Sequence, residues 1–365
     1  MTVDGATACL AIGGAGAAGL LALGGYELFK TESDGAGAGP TFAGASGTAD
    51  VTLHAKEGSV DLGSRTVKTW SYDETLPGRE VRVRQGDHVR VRVVNDLPAD
   101  TSIHWHGVRL DNAMDGVPGA TQKPIAPGES FLYDFVAPDA GTYMYHCHFE
   151  DVEHVTMGMT GLVFVRPAGY DAGNAATWKA YDAADTAYHV EYPILLTEFD
   201  FSGHWNDAHI MESDWTNYKP DIWLMNGRAY PDTLEPGTAR DNATGDMEVP
   251  VASPHLQYQP LSSRLTATTG QQVLIRLANL GFEEQTLSMP GVPLRMVGND
   301  ARYMDAARQT VSDTVVLGAG ESRDLILTAP APGTYPFYNT DPTKYRGDGN
   351  DQRVGGQYTE LVVSA

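Results

Sequence analysis

The sequence predicts an all-β protein that consists of two β-sandwich domains. Short runs in which apolar and polar residues alternate, such as Val81–Arg84 and residues 89–94, are bounded by Gly, Pro, Asn and Asp. Such runs are typical of strands with one buried face, and their number and spacing indicate sandwiches. A chain of 365 residues is long enough for two domains of this kind.

An internal repeat supports the prediction of two domains. Three segments of the first half recur in the same order in the second half, which indicates two copies of one structural unit. The repeat pairs residues 86–97 with 270–281, Gly128-Glu-Ser with Gly320-Glu-Ser, and residues 141–145 with 333–337.

The sequence divides into five segments from the N-terminus onward. Residues 6–29 are rich in Ala, Gly and Leu, a composition typical of a signal sequence or membrane anchor, although no Lys or Arg precedes Lys30. A Gly- and Ala-rich stretch follows and predicts a flexible linker. The predicted segments are a signal peptide or membrane anchor (1–30), the linker (31–49), the first sandwich domain (50–166), a connector (167–191) and the second sandwich domain (192–365).

Charge and cysteine content narrow the function. A net charge of −22 makes binding to nucleic acid or to an anionic membrane surface unfavourable. The chain has two cysteines, Cys9 in the N-terminal apolar segment and Cys147 in the first domain, so a disulfide framework is not predicted. Together with the N-terminal segment, these features predict an exported protein that is extracellular, periplasmic or anchored outside the cytoplasm.

Residues 146–159 concentrate side chains that bind metals. Cys147, His154 and Met159 supply a thiolate, an imidazole and a thioether, which are the ligand types of blue-copper electron-transfer sites. His146 and His148 flank the cysteine, and strand alternation directs both imidazoles to the face opposite Cys147. One segment can therefore serve two metal sites on its two faces.

A second cluster lies upstream, where His104 and His106 repeat the His-x-His spacing. Their imidazoles share one face of a strand for the same reason. Two such pairs beside a cysteine are far more typical of metal ligands than of isolated structural histidines, so this part of the chain is predicted to bind copper.

The segments 101–108, 114–122, 127–131 and 141–148 resemble the copper-bearing domain of multicopper oxidases, the laccase-like members of the cupredoxin superfamily. The resemblance implies Greek-key cupredoxin-like sandwiches and copper cofactors of two kinds, one type 1-like site and one type 2/3-like cluster. It implies O₂ as the electron acceptor and a small reducing substrate as the donor. It assigns cluster ligands (His104, His106, His146, His148), type 1 ligands (Cys147, His154, Met159) and a proton donor (Asp115).

The chain departs from this family in two respects. A complete cluster in the family uses eight histidines, and this chain offers four at matching positions. The family places a type 1 histidine five residues before the position of His106, where this chain has Thr101. The second domain has no evident copper ligands, because the repeat aligns His104 and His106 with Ser288 and Pro290, and residues 146–148 with Tyr338, Asn339 and Thr340.

The predicted function is a laccase-like, copper-dependent oxidation of a phenol, an amine or a metal ion by O₂. The two-domain layout predicts a homo-oligomer, either a closed ring or a dimer, and the oxidase function requires that its subunits complete one another's clusters. Two alternatives stay open. One is a copper nitrite-reductase-like enzyme, because His146 directly precedes Cys147. The other is a non-catalytic blue-copper electron-transfer or copper-binding protein that keeps only half a cluster.

Overall fold

The computed structural model describes residues 51–62, 65–209, 211, 213–237, 253–345 and 355–365. The predicted N-terminal apolar segment and linker lie outside these residues. Within the described part of the chain, no helix is long and apolar enough to cross a membrane. Strands dominate this part, which confirms the predicted all-β class.

The first sandwich consists of two four-stranded sheets. Alternation within a strand sets which face is buried: in β4 the valines at 89, 91 and 93 point into the core, and the arginines between them are partly exposed. The strands are β1 (Val51–Asp61), β2 (Thr66–Tyr72), β3 (Val81–Arg84), β4 (His88–Asn95), β5 (His104–His106), β6 (Ser130–Val136), β7 (Gly141–His146) and β8 (Thr160–Arg166). Their orders are β2-β1-β4-β6 and β3-β8-β7-β5.

The second sandwich consists of a seven-stranded and a five-stranded sheet. Its strands are β9 (Val190–Phe199), β10 (Ile222–Met225), β11 (Leu265–Thr268), β12 (Gln272–Asn279), β13 (Gln285–Ser288), β14 (Leu294–Asn299), β15 (Arg302–Tyr303), β16 (Thr310–Ser312), β17 (Thr314–Leu317), β18 (Ser322–Thr328), β19 (Gly333–Asn339) and β20 (Tyr358–Ser364). The orders are β10-β9-β12-β18-β14-β15, with β16 beside β14, and β11-β20-β19-β13-β17.

The two sandwiches share one topology. The parallel pair β1–β4 of the first corresponds to the parallel pair β9–β12 of the second, and the parallel pair β3–β8 corresponds to β11–β20. This agreement is what the internal sequence repeat predicts. We propose domain limits of 50–166 and 192–365, a division that the separate strand sets support, with β9 beginning inside the connector.

Two short helices accompany the strands. Helix α1 (Asp151–Thr156) follows β7, and helix α2 (Phe201–Ala208) follows β9. The carboxylate of Asp200 caps α2 by accepting hydrogen bonds from the backbone N–H groups of Ser202 and Gly203. Helix α2 packs against both β2 and α1, so a segment of the second half of the chain covers part of the first sandwich.

Each sandwich has its own apolar core, and a third apolar layer joins them. In that layer Met144 and Phe164 of the first sandwich pack against Leu195 and Leu280 of the second. The layer fixes the position of β7, the strand that ends at His146.

Buried ion pairs lie at the same interface. Glu191 of β9 accepts hydrogen bonds from Arg166 of β8 at 2.6 Å and from Arg276 of β12 at 2.6 Å. Arg276 also donates to Thr142 of β7 at 2.9 Å, and the Thr142 hydroxyl donates to Asp324 of β18 at 2.5 Å. These charges are buried, so each requires its partner in place.

Candidate metal centres

The pairing of β5 with β7 brings three histidines together. His104 lies opposite His146 in the antiparallel register, and Trp105 lies opposite Tyr145. Alternation sends Trp105 and Tyr145 into the core, where both are 0% exposed. The imidazoles of His104, His106 and His146 share the other face, and one ring nitrogen from each lies within 4.8 Å of the others. These three residues are called the histidine centre below.

Hydrogen bonds orient two of these rings. The Nδ1 of His104 lies 2.8 Å from the carbonyl oxygen of Asp115, and the Nδ1 of His146 lies 2.8 Å from the carbonyl oxygen of Cys147. A carbonyl oxygen only accepts, so each Nδ1 carries the proton and each Nε2 keeps a free lone pair. The Nε2 of His146 lies 3.2 Å from the Nδ1 of His106, so these two ring nitrogens face each other.

Burial favours the neutral form of two imidazoles in the histidine centre, those of His106 and His146. Desolvation, followed by the nearby His104, His106 and His148, lowers the pKa of His146 to about 3. Desolvation and then His104 also lower the pKa of His106. A neutral imidazole is the form that binds a metal ion, so these side chains do not need to lose a proton first.

His148 and Asp115 border the histidine centre. The His148 ring lies 5.4 Å from the His104 ring and 5.9 Å from the His146 ring, measured between centroids. A carboxylate oxygen of Asp115 lies 3.4 Å from the Nδ1 of His104. Gly116, at a φ of +82°, allows the turn that brings Asp115 there, because a Cβ at this position would overlap the Ile103 carbonyl.

A second group of side chains lies on the opposite face of the same segment. The Sγ of Cys147 lies 3.2 Å from the Nδ1 of His154 and 3.3 Å from the Oγ1 of Thr101. The Thr101 hydroxyl lies 4.0 Å from the Sδ of Met159. All four residues are at most 1% exposed. They are called the thiolate centre below.

The loop after β7 builds the thiolate centre. Glu150, at a φ of +45°, reverses the chain so that α1 can present His154 to Cys147. Backbone hydrogen bonds then return the chain: the Cys147 N–H donates to the Met159 carbonyl at 3.1 Å, and the Met159 N–H donates to the His154 carbonyl at 3.0 Å. Trp70 packs edge-on to His154 at 5.1 Å and excludes water from the ring.

Two residues that sequence analysis missed lie beside the thiolate centre: Asp207 on α2, and Trp215 in a turn beyond the end of that helix. Asp207 is 5% exposed, and desolvation followed by Glu153 raises its pKa to about 7. The indole N–H of Trp215 donates to the Glu153 carboxylate at 2.9 Å. Asp207 and Trp215 follow Cys147 by 60 or more positions and form no motif with it, so only tertiary folding reveals their role.

The second sandwich contacts the histidine centre through a turn. A Cβ at Gly320, between β17 and β18, would lie 3.0 Å from the Cε1 and 3.3 Å from the Nε2 of His106. Sequence analysis missed this contact as well. It aligned Gly320 with Gly128 as a repeated turn residue, a signal that says nothing about which neighbour the turn touches.

The second sandwich has no equivalent centre of its own among the described residues. Its register pairs Ser288 with Tyr338 where the first sandwich pairs His104 with His146. Asn339 follows at the position of Cys147, and its amide donates to Gln285 and Gln357 at 2.8 Å each. Hydrogen-bonded amides thus replace the ligand side chains.

The donor atoms of both centres fit copper. Thiolate and thioether ligands select copper over hard cations, and convergent neutral imidazoles bind Cu, Zn and Fe. Both centres have fewer ligands than the family pattern. In the thiolate centre, Thr101 occupies the position of one imidazole, and four of the eight cluster histidines have no counterpart at matching positions of this chain. His204 and His209 do not supply them, because among the described residues the group of His, Cys, Asp or Glu side chains placed to share one ion is His104, His106 and His146.

Comparison with known proteins places these features in context. Two family models, both described as multicopper oxidase, match residues 54–169 and 206–361. Multicopper oxidase MmcO of Mycobacterium tuberculosis is 27% identical over 80% of this chain and 53% of its own length. Laccase-15 of Oryza sativa is 30% identical over 72% of this chain and 39% of its own length. The chain thus spans about half of these relatives or less.

A solved structure covers both chains more evenly. The blue copper oxidase from Nitrosomonas europaea superposes with a TM-score of 0.68 and 25% identity, over 86% of this chain and 85% of that chain. The two-sandwich architecture is therefore shared along nearly the whole length of that protein.

Proposed function

Because the chain belongs to the multicopper oxidase family, we propose that it is a laccase-like oxidoreductase that depends on copper. It oxidises a small reducing substrate (a phenol, an amine or a metal ion) and transfers the electrons to O₂. One observation carries this proposal: residues 146–148 border both centres. Cys147 faces the thiolate centre, and the rings of His146 and His148 lie at the histidine centre.

A short route joins the two centres. Cys147 and His146 share a peptide bond, and the His146 Nδ1–H donates to the Cys147 carbonyl at 2.8 Å. Bound copper would supply one-electron transfer at the thiolate centre and oxygen chemistry at the histidine centre. The protein supplies fixed ligand positions and a dry environment, since Cys147 and Met159 are 0% exposed.

Asp115 is proposed as the proton donor, because reduction of O₂ to water consumes protons as well as electrons. Its carboxylate is 3.4 Å from His104 and 29% exposed, so it can exchange protons with solvent and hold one beside the histidine centre. The geometry meets the requirement that a general acid lie within reach of the reacting site.

The reducing substrate is proposed to bind above α1 and α2. It cannot touch His154, which lies on the buried side of α1 and is 1% exposed. The outer side of α2 presents Trp205, which is 62% exposed, and the acidic side chains of Glu150 and Glu153 lie on the neighbouring segment. This surface favours small neutral or cationic reductants over anions.

A homo-oligomer is proposed because the histidine centre and the adjacent His148 together supply four of the eight histidines of the family's cluster. Residues 238–252 and 346–354 contain no histidine, and the described second sandwich has Ser288 and Tyr338 in the equivalent positions. A second copy could complete a cluster with its own first sandwich, so that each chain supplies four histidines across a two-fold axis. Export from the cytoplasm is also proposed, on the basis of the apolar residues 6–29.

One alternative has direct support. A copper-binding or electron-transfer protein without catalysis would explain why both ligand sets are incomplete. A nitrite-reductase-like enzyme is disfavoured, because the family pattern of His104, His106 and His148 beside His146 is that of the oxidases.

Copper content and oxygen uptake test the proposal. We expect copper at both centres and oxygen uptake with a phenol. The double variant His104→Ala/His148→Ala should lose oxygen uptake and keep copper at Cys147. His54→Ala/His88→Ala is the matched control. It also removes two histidines, but both are partly exposed and neither belongs to either centre, so this variant should retain activity. Copper binding without oxygen uptake in the wild-type chain would reject the oxidase and support the carrier.

A further inference from the structure

The thiolate centre is one imidazole short of a blue-copper site. Such a site has two imidazoles and a thiolate in a plane, with a weak axial thioether. Here His154 is the imidazole at the Cys147 sulfur, 3.2 Å away, and the hydroxyl of Thr101 lies on another side of the same sulfur at 3.3 Å.

Within the described ranges, His154 is the one imidazole at hydrogen-bonding distance from this sulfur, and the hydroxyl groups of Thr101 and Ser102 are its other polar side-chain neighbours. The group of three His, Cys, Asp or Glu side chains close enough to share an ion is His104, His106 and His146, on the opposite face. Thr101, Cys147 and Met159 are all 0% exposed, so bulk water does not fill the position either. The fourth side of the centre is therefore the Thr101 hydroxyl.

This substitution changes which oxidation state of copper the ligands favour. Thiolate and thioether are soft ligands that select Cu(I), whereas a second imidazole would help to stabilise Cu(II). A neutral hydroxyl does not replace that imidazole. Its oxygen lies 3.3 Å from the Cys147 sulfur, so it would donate a hydrogen bond to a copper-bound thiolate; the Phe149 N–H donates to this sulfur at 3.4 Å, and hydrogen bonding at the sulfur tunes the redox potential.

We propose that Thr101 is a specificity-determining residue that makes the thiolate centre favour Cu(I) over Cu(II). The effect of this preference on which substrates are oxidised rests on the proposed oxidase function. Copper held by Cys147, His154 and Met159 would accept one electron from the substrate, becoming Cu(I), and would pass it to the histidine centre, where O₂ would be the final acceptor. A centre that favours Cu(I) takes electrons from weakly reducing substrates, such as phenols with electron-withdrawing substituents.

The proposal is tested by the ratio of Cu(I) to Cu(II) affinity, measured by competition with chelators of known affinity. Cys147→Ser identifies the copper that belongs to this centre. Thr101→Val removes the hydroxyl at nearly constant shape, and Thr101→Ser retains it as the matched control. Loss of a hydrogen bond to a charged group should lower the ratio about tenfold in the Val variant and leave the Ser variant unchanged.

Thr101→His supplies the missing imidazole. It should lower the affinity ratio further and produce an intense visible thiolate-to-Cu(II) absorption that the wild-type protein lacks. If it does not fold, the Val and Ser variants still decide the question. Equal ratios for wild type, Thr101→Val and Thr101→Ser would overturn the proposal, as would an intense visible absorption in the wild-type Cu(II) form. The expected ratios without oxygen uptake would instead reject the oxidase function alone.

Discussion

Gly320 and Gly128 provide a direct test of whether the second sandwich positions a candidate copper ligand. They are equivalent turn residues of the two sandwiches, with φ values of +75° and +80°. A Cβ at Gly320 would lie 3.0 Å from the Cε1 of His106, whereas a Cβ at Gly128 would have no neighbour within 4 Å. Alanine therefore introduces similar backbone strain at both positions, and only Gly320→Ala displaces His106.

The two effects have different magnitudes. An alanine forced into left-handed backbone costs about 1–2 kcal/mol, so both variants should lose about this much free energy of unfolding. Nonbonded carbon atoms prefer about 3.5–4.0 Å, so the His106 ring must move by about 0.5–1 Å in Gly320→Ala. That movement alters the 3.2 Å spacing between His106 Nδ1 and His146 Nε2. Changes to groups that orient a metal ligand typically lower metal affinity about 10- to 100-fold.

The assay compares both variants in a Cys147→Ser background, which leaves the histidine centre as the candidate copper site. Urea unfolding gives the free energy of unfolding, and chelator competition gives the copper affinity. We expect similar destabilisation of the two variants, with a copper affinity at least about tenfold lower only in Gly320→Ala. Equal copper affinities in the two variants would refute the conclusion that the second sandwich holds His106 in place.

Three further predictions concern the interface and the proton donor. Glu191→Gln should cost about 3–5 kcal/mol in urea unfolding, because it leaves the buried guanidinium groups of Arg166 and Arg276 without their carboxylate; no measurable loss would contradict the buried network. Burial opposes ionisation of Glu191, but these arginines outweigh it and hold its pKa far below the usual range. The stabilisation is thus complete above the unfolded-state pKa of about 4.3 and is lost as the pH falls below it, a dependence that should weaken in Glu191→Gln. Met144→Ala should cost about 2–5 kcal/mol, since its side chain is 2% exposed between the sandwiches, and a smaller loss would mean that the layer is loosely packed. Asp115→Asn should lower oxygen uptake about 100-fold or more with copper content unchanged, because general acid catalysis typically contributes about that much; undiminished oxygen uptake would exclude Asp115 as the proton donor.

Local sequence patterns were sufficient to predict the fold class and the two-sandwich architecture. In β4, buried valines alternate with partly exposed arginines, so the buried face can be identified from the sequence. The second sandwich repeats turn residues of the first, as Gly320 repeats Gly128, so the duplication can also be identified from the sequence. The copper chemistry was predictable for a related reason. His104, His146 and Cys147 lie in short motifs. Strand geometry alone assigns the two imidazoles to one face and the Cys147 side chain to the opposite face. Their roles as ligands remain predictions.

Only the tertiary structure decided what surrounds those motifs. Asp207 and Trp215 lie beside the thiolate centre, and Gly320 touches His106, although each is more than 50 residues from the side chain that it approaches. Thr101 was noticed in the sequence as a missing histidine, but its contacts with the Cys147 and Met159 sulfurs depend on how α1 folds back onto β7. The physical reason is the same in each case. Periodicity along a strand specifies which face a side chain occupies, whereas contacts between distant segments depend on packing that no local pattern encodes.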